Sequence, residues 1–282
     1  MNRYPVIIIW ALLMCSCGKK IKSTSDQLYS RHLQKNVQLS IISTPIPDNK
    51  SDLSLLIMND GQDLDAFRMK EIIDSLWKKD RIIPLIVVGV HAGDRTREYG
   101  VAGKPDYQQR GNRADKYSSF ITNELYPFIK KRSGARSFKN VVIAGCSQGG
   151  LSAFDIAWNN ADRFNKVGVF SGSFWWRDKD AADPLYNDSL NRIMLNNIRS
   201  SRKRPKLKMW FYAGDKEENS DRDKDGITDA ADDTRDLIAL LEKKKSVSPA
   251  DINFTESPSG THDYSSWSKN LPAFLTWAFG TK

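Results

Sequence analysis

Residues 141–150 read VVIAGCSQGG, an apolar run ending in Gly-x-Ser-x-Gly, and LSAFDIAW follows with its apolar residues at helical spacing. A run that does not alternate suits a strand buried on both faces. Where such a strand turns at once into a helix packed beside it, the crossing has no room for a Cβ. Gly145 and Gly149 meet that requirement. The serine between them is held on a sharp turn with its hydroxyl clear of the sheet, the setting of a nucleophile elbow. Ser147 is the candidate covalent catalyst.

The rest of the chain repeats this strand–helix alternation. Strands are expected near 36–43, 53–59, 84–90, 140–146, 166–171, 207–213 and 251–256, and helices near 65–78, 117–131, 148–159, 185–199, 233–245 and 264–279. The expected fold class is α/β, a three-layer sandwich of the α/β-hydrolase kind around a central, mostly parallel sheet. In such sheets the working residues collect at the carboxyl ends of the strands. Ser147, the loop after Asn59 and the loop after Ala213 all fall there.

A serine hydroxyl needs a base, and the chain has three histidines. His32 lies in a polar stretch near the N-terminus. His91 ends the strand LIVVGV and is read as a substrate-binding side chain. His262, in SGTHDYSSW after the last strand, alone fits the chain order nucleophile, acid, histidine. The acid is expected after LKMWFYA, where the chain reads Gly214-Asp215-Lys216-Glu217-Glu218. Reach favours Glu217, with Asp215 and Glu218 as rivals. An oxyanion needs two N–H donors. The backbone amides of Gln148, next to the nucleophile, and of Gln62, in NDGQD, are the candidates. Phe174, Trp175 and Trp176 either floor a substrate pocket or pack beneath the 183–200 excursion. Cys146 is read as a packing residue and not as the nucleophile.

Composition narrows the setting. With 40% hydrophobic and 27% charged residues, the 282-residue chain suits one large α/β domain. The net charge of +9 is spread over short scattered groups, with no basic helix interleaved with aromatics, so no nucleic-acid partner is expected. Arg3 precedes VIIIWALLM, too short for a stable bilayer span and suited to a signal-peptide core. Met14-Cys15-Ser16-Cys17 then resembles a bacterial lipobox with Cys17 as the acylated residue. The expected organisation is a signal peptide over 1–17, a linker over 18–32 and a catalytic domain over 33–282. The expected location is the bacterial cell envelope, lipid-anchored at a periplasmic or outer-membrane face. Only Cys146 among the three cysteines lies in the domain, so no internal disulfide is expected.

Together MNDGQDLDAF (58–67), VGVHAGDRTREYG (88–100), KYSSFITNELYPFI (116–129), AGCSQGGLSAFD (144–155), FSGSFWW (170–176) and GTHDYSSWSKNLPAFLTWAFG (260–280) resemble the enterochelin-esterase/esterase D group of α/β-hydrolases. That resemblance implies Ser147 and His262 as catalytic residues and places an acid near Glu217. It implies ester hydrolysis through an acyl-enzyme without a cofactor, on a small-molecule or glycan ester: an acetyl or feruloyl carbohydrate, or a siderophore. An acyltransferase on the same scaffold and a non-catalytic, calcium-dependent surface binding protein are the alternative readings.

Residues 221–232, DRDKDGITDAAD, carry a second pattern. Asp221, Asp223, Asp225, Asp229 and Asp232 stand at positions 1, 3, 5, 9 and 12 of an EF-hand or dockerin spacing, with Gly226 at 6 and the Ile227 carbonyl at 7. The expectation is a structural Ca²⁺ in an insertion that orders the acid-bearing segment.

Overall fold

The computed structural model describes residues 20–218, 220–222 and 226–281. The signal segment, Cys17, Asp223 and Asp225 lie outside the described residues. The strands are β1 (Lys22–Ser30), β2 (Lys35–Ser43), β3 (Ser54–Asn59), β4 (Leu85–Val90), β5 (Val141–Cys146), β6 (Lys166–Phe170), β7 (Lys208–Gly214) and β8 (Ile252–Ser257). They form one sheet in the order β1-β2-β4-β3-β5-β6-β7-β8. From β4 to β8 neighbours run parallel, whereas β2 meets β4 and β1 meets β2 antiparallel.

The helices are α1 (Met69–Lys78), α2 (Arg95–Glu98), α3 (Ala114–Ser119), α4 (Tyr126–Ser133), α5 (Gln148–Asn159), α6 (Asp188–Asn191), α7 (Ile193–Ser200), α8 (Asp229–Lys243) and α9 (Tyr264–Phe279). Strand side chains alternate between two cores. Leu56, Met58, Val142, Ala144 and Phe170 pack with Ile73 of α1 and Leu271, Phe274 and Leu275 of α9. Leu55, Ile57, Ile143, Val169 and Phe211 pack with Phe154 and Trp158 of α5, Ile198 of α7 and Leu237 of α8. Both faces of the parallel strands are therefore covered, which is why β3, β4 and β5 are buried along their whole length. This is the three-layer α/β sandwich that the strand–helix alternation implies. Among the described residues no helix is long and apolar enough to cross a membrane.

Four local expectations are corrected. The stretch 18–32 is not simply a linker: Lys22–Ser30 pairs with β2 from Lys22↔Ser43 to Ser30↔Lys35. Its residues are mostly exposed at the sheet edge, so KSTSDQLYS shows no apolar run. The helix expected from 65 begins only at Met69, because Arg68 sits at φ 54°. The helix expected over 185–199 is broken into α6 and α7 by Arg192, at φ −71° and ψ 104°. The one expected over 117–131 runs from α3 through a π-helical stretch, Phe120–Leu125, into α4.

Candidate active site

Ser147 sits between β5 and α5 at φ 55° and ψ −126°, outside the regions a non-glycine residue ordinarily occupies. A Cβ on Gly145 would lie 2.4 Å from the Gly149 carbonyl oxygen, so the strand and helix approach each other only because that position is glycine. The Ser147 hydroxyl lies 3.4 Å from the Ser173 hydroxyl.

The candidate acid and base arrive on the next strands of the sheet. A Cβ on Gly214, the last residue of β7, would lie 2.3 Å from the Gly260 carbonyl oxygen, and Lys216 N–H donates to that same oxygen at 2.9 Å. The loops after β7 and β8 are thereby laid side by side. Glu217 Oε2 lies 3.1 Å from His262 Nδ1, and the Glu217 side chain is fully buried. Its Oε1 accepts from Gly214 N–H at 2.6 Å and from the Ser171 hydroxyl at 2.5 Å. The rivals are placed elsewhere. Asp215 is exposed and accepts from Ser259 N–H at 2.5 Å. Burial pushes the Glu218 carboxyl above its ordinary range, with Asp229 adding to the rise.

Ser147 and His262 line one cavity of about 340 Å³, together with Asp60, Gln62, Asp63, Phe67, Arg95, Tyr264 and Trp267. It holds a hydroxyl on a strained turn and an imidazole whose Nδ1 meets a buried carboxylate. Gln148 opens α5, so its N–H is among the first-turn amides that have no partner within the helix. Gln62 lies in the 3-10 turn Gly61–Asp63 on the opposite wall. Arg95 connects the two walls, donating to Asp60 Oδ1 at 3.0 Å and to Gln148 Oε1 at 2.9 Å while its guanidinium lies over the Tyr99 ring. Burial raises the Asp60 carboxyl, and Arg95 opposes that rise.

Three of the substrate-binding expectations are not met. His91 does not line the cavity and bonds Ser40 of β2 at 2.8 Å, and burial lowers its imidazole. Trp176 is fully buried, its ring filling the space over Gly100 and Gly111. Trp175 lies under the Arg110 guanidinium, 5.2 Å from its ring centre, and does not line the cavity. The aromatic lining comes instead from Phe67, Tyr264 and Trp267. These lie inside DAF and THDYSSW, stretches already singled out, but nothing in their spacing marks them as pocket residues. Cys146 packs as expected: it is buried, and burial pushes its thiol well up.

At the end of the acidic segment, Asp229 and the neighbouring Asp233 meet arginines. Among the described residues no three His, Cys, Asp or Glu side chains form a group able to hold a metal ion, and the calcium expectation gains no support. Gly226, at φ 89°, donates to Asp221 Oδ2 at 2.9 Å, closing the turn that the spacing implies. Asp229 and Asp232 belong to the first turn of α8. Asp229 accepts from Arg222 N–H at 2.8 Å and from Ser220 Oγ at 2.5 Å. Arg222 also pairs with Asp188 at 2.6 Å and Asp233 at 2.8 Å, and Arg192 reaches Asp233 at 2.5 Å. At Asp229 the Arg222 guanidinium supplies positive charge of the kind a bound cation would bring, while Asp223 and Asp225 lie outside the described residues. Differential scanning fluorimetry reads the outcome directly: a loop held by Arg222 alone keeps its melting temperature within about 1 °C when EDTA is added and again when Ca²⁺ is restored. A site filled at a hundred times its Kd would instead contribute about 2.7 kcal/mol, which differential scanning fluorimetry resolves.

A strained serine at the carboxyl end of a central parallel strand, under a three-layer sandwich, defines an α/β-hydrolase-like protein. Residues 30–278 match the model of the Esterase family, and the chain belongs to that family. It is 27% identical over 125 residues to the uncharacterized protein YbbA of Bacillus subtilis (strain 168), covering 43% of this chain and 49% of that one. The structure is similar to the enterobactin esterase FES from Shigella flexneri, with a TM-score of 0.68 and 20% identity over 93% of this chain and 61% of that one. It is also similar to a ferulic acid esterase, with a TM-score of 0.68 and 16% identity over 93% of this chain and 98% of that one. The chain thus spans about half of the B. subtilis relative and 61% of the S. flexneri enzyme.

Proposed function

We propose that this protein is a serine carboxylesterase that cleaves an aromatic acyl ester, of the feruloyl or catecholate-siderophore type, through an acyl-enzyme. The observation that carries the reading is that Ser147 and His262 line one cavity, with the Glu217 carboxylate buried behind the imidazole. In this mechanism Ser147 swings from Ser173 toward His262, a tightening expected once substrate fills the site. His262 takes the hydroxyl proton as Oγ attacks the ester carbonyl. The N–H groups of Gln148 and Gln62 receive the oxyanion, and the alcohol leaves with the proton from His262. Water then repeats the sequence and frees the acid. Glu217 holds the imidazole and stabilises its cationic form. None of these steps calls on a cofactor.

The substrate class follows from the lining. Phe67, Tyr264 and Trp267 offer ring faces and edges to a planar acyl group, and Arg95 offers a cation to phenolate or carboxylate oxygens. The activities in the names of the S. flexneri esterase and the ferulic acid esterase agree with that class. Export and tethering through Cys17 belong to the same reading and rest on the sequence pattern alone.

Two measurements test it. A fluorophosphonate probe is expected to add its mass to the peptide containing Ser147, and to no other serine. Methyl ferulate is expected to exceed p-nitrophenyl acetate in kcat/KM by about tenfold, what one aromatic contact of about 1.5 kcal/mol supplies. A protein that neither takes the probe nor cleaves either ester is a binding protein on this scaffold, and the proposal fails.

A further inference from the structure

Behind the acid lies a second hydroxyl that the proposed chemistry leaves unused. Ser171 follows β6 at φ 51° and is 1% exposed, so it is neither a surface nucleophile nor a residue placed there for backbone comfort. Its Oγ touches two polar partners. Trp267 Nε1 donates to it at 2.8 Å, and it lies 2.5 Å from Glu217 Oε1. An indole N–H can only donate, and a hydroxyl carries a single proton. With the tryptophan filling an acceptor site, the serine proton points at the carboxylate. Trp267 meets the other partner of the acid as well: its ring stands edge-on to the His262 ring, centroids 5.1 Å apart at 77°.

We infer that Ser171 and Trp267 form a positioning pair for the catalytic acid, the indole N–H fixing the serine hydroxyl so that it holds Glu217 with Oε2 toward His262. The inference rests on the triad reading above. With Gly214 N–H and Ser171 both on Oε1, the carboxylate has one free oxygen, and that oxygen meets the imidazole. The pair thus sets which way the acid faces without touching substrate at Ser171. It also accounts for a serine kept in a left-handed conformation inside the protein, a placement that costs free energy.

The test is a double-mutant cycle read as kcat and KM on methyl ferulate, with Ser147→Ala run alongside. Ser171→Ala is expected to lower kcat by about tenfold to a hundredfold, the worth of a hydrogen bond to a charged group, and to leave KM within about twofold. Ser171→Gly, which relieves the backbone, is expected to show the same loss, separating the hydroxyl from strain. Trp267→Phe keeps a ring and removes the N–H, and is expected to cost about tenfold alone and less than about twofold in the Ser171→Ala background. Wild-type kcat in Ser171→Gly, or additive losses in the double mutant, overturns the positioning pair while Ser147→Ala remains inactive. An active Ser147→Ala protein overturns the triad reading itself, and with it the pair.

Discussion

Replacing Ser147 with alanine is expected to lower kcat/KM toward any ester this protein cleaves by about 10⁴- to 10⁶-fold, the range seen when a nucleophile acting with its base is removed. The effect is large because the hydroxyl, the imidazole and the carboxylate act as a unit, so the remaining members have nothing to activate. Stability is expected to change little. Alanine carries the same Cβ into the φ 55°, ψ −126° turn, and the contact given up is a single one with Ser173 at 3.4 Å. Initial rates on p-nitrophenyl acetate and methyl ferulate, paired with a melting curve, check both halves. The neighbouring Cys146 offers no rescue, since its thiol is buried and burial pushes it away from the thiolate form. A variant within about tenfold of wild type would show that hydrolysis runs elsewhere, the loss being far below the expected range.

The second large effect concerns stability. Asp233 is fully buried on α8 and accepts from both Arg192 and Arg222, whose own side chains are 5% and 12% exposed. Removing it with Asp233→Ala strands two buried guanidiniums against one another, leaving the more peripheral Asp188, Asp229 and Asp236 as counter-charge. Breaking a buried pair in this way costs about 3 to 5 kcal/mol. At about 2 to 4 °C per kcal/mol in domains of 150–250 residues, that lowers the melting temperature by about 10 °C. Asp233→Asn, which keeps an acceptor oxygen, is expected to lose less. Because Arg222 lies five positions beyond Glu217, the alanine variant is also expected to lose activity below its melting temperature. A melting temperature equal to that of the wild type would mean that the ion network contributes nothing net to the fold.

Much of the candidate site can be read from the chain alone because its parts sit at strand ends, and strand ends are marked by apolar runs. VVIAGC led to Ser147, LKMWFYA to Glu217, and elimination among three histidines to His262. Direction is what such runs do not carry. His91 ends a strand as Ser147 does, yet its ring turns to Ser40 on an antiparallel neighbour that the pattern around residue 90 does not reveal. Trp175 and Trp176 follow a strand end too, but Gly100 and Gly111, from a distant loop, open a slot that takes Trp176 into the core. β1, KSTSDQLYS, carries no apolar run because an edge strand is largely solvated. The carboxylates of 221–232 have metal-like spacing, whereas the charge that meets Asp229 and Asp233 comes from Arg222 within the loop and Arg192 far upstream. Spacing within one segment is blind to a counter-ion arriving from another part of the chain. Ser171 left no trace either, since nothing in FSGS announces a left-handed serine.

The proposed catalytic machinery crosses the sheet sideways. Ser147 follows β5, Ser171 follows β6, Glu217 follows β7 and His262 follows β8, one contribution from each of four adjoining strands. Sliding any one of these strands by a single residue would carry its contribution about 3.3 Å along the strand direction, more than a hydrogen bond tolerates. The ladder is therefore a ruler for the chemistry, and shortening or lengthening is tolerable only in the crossovers that leave its graduations in place.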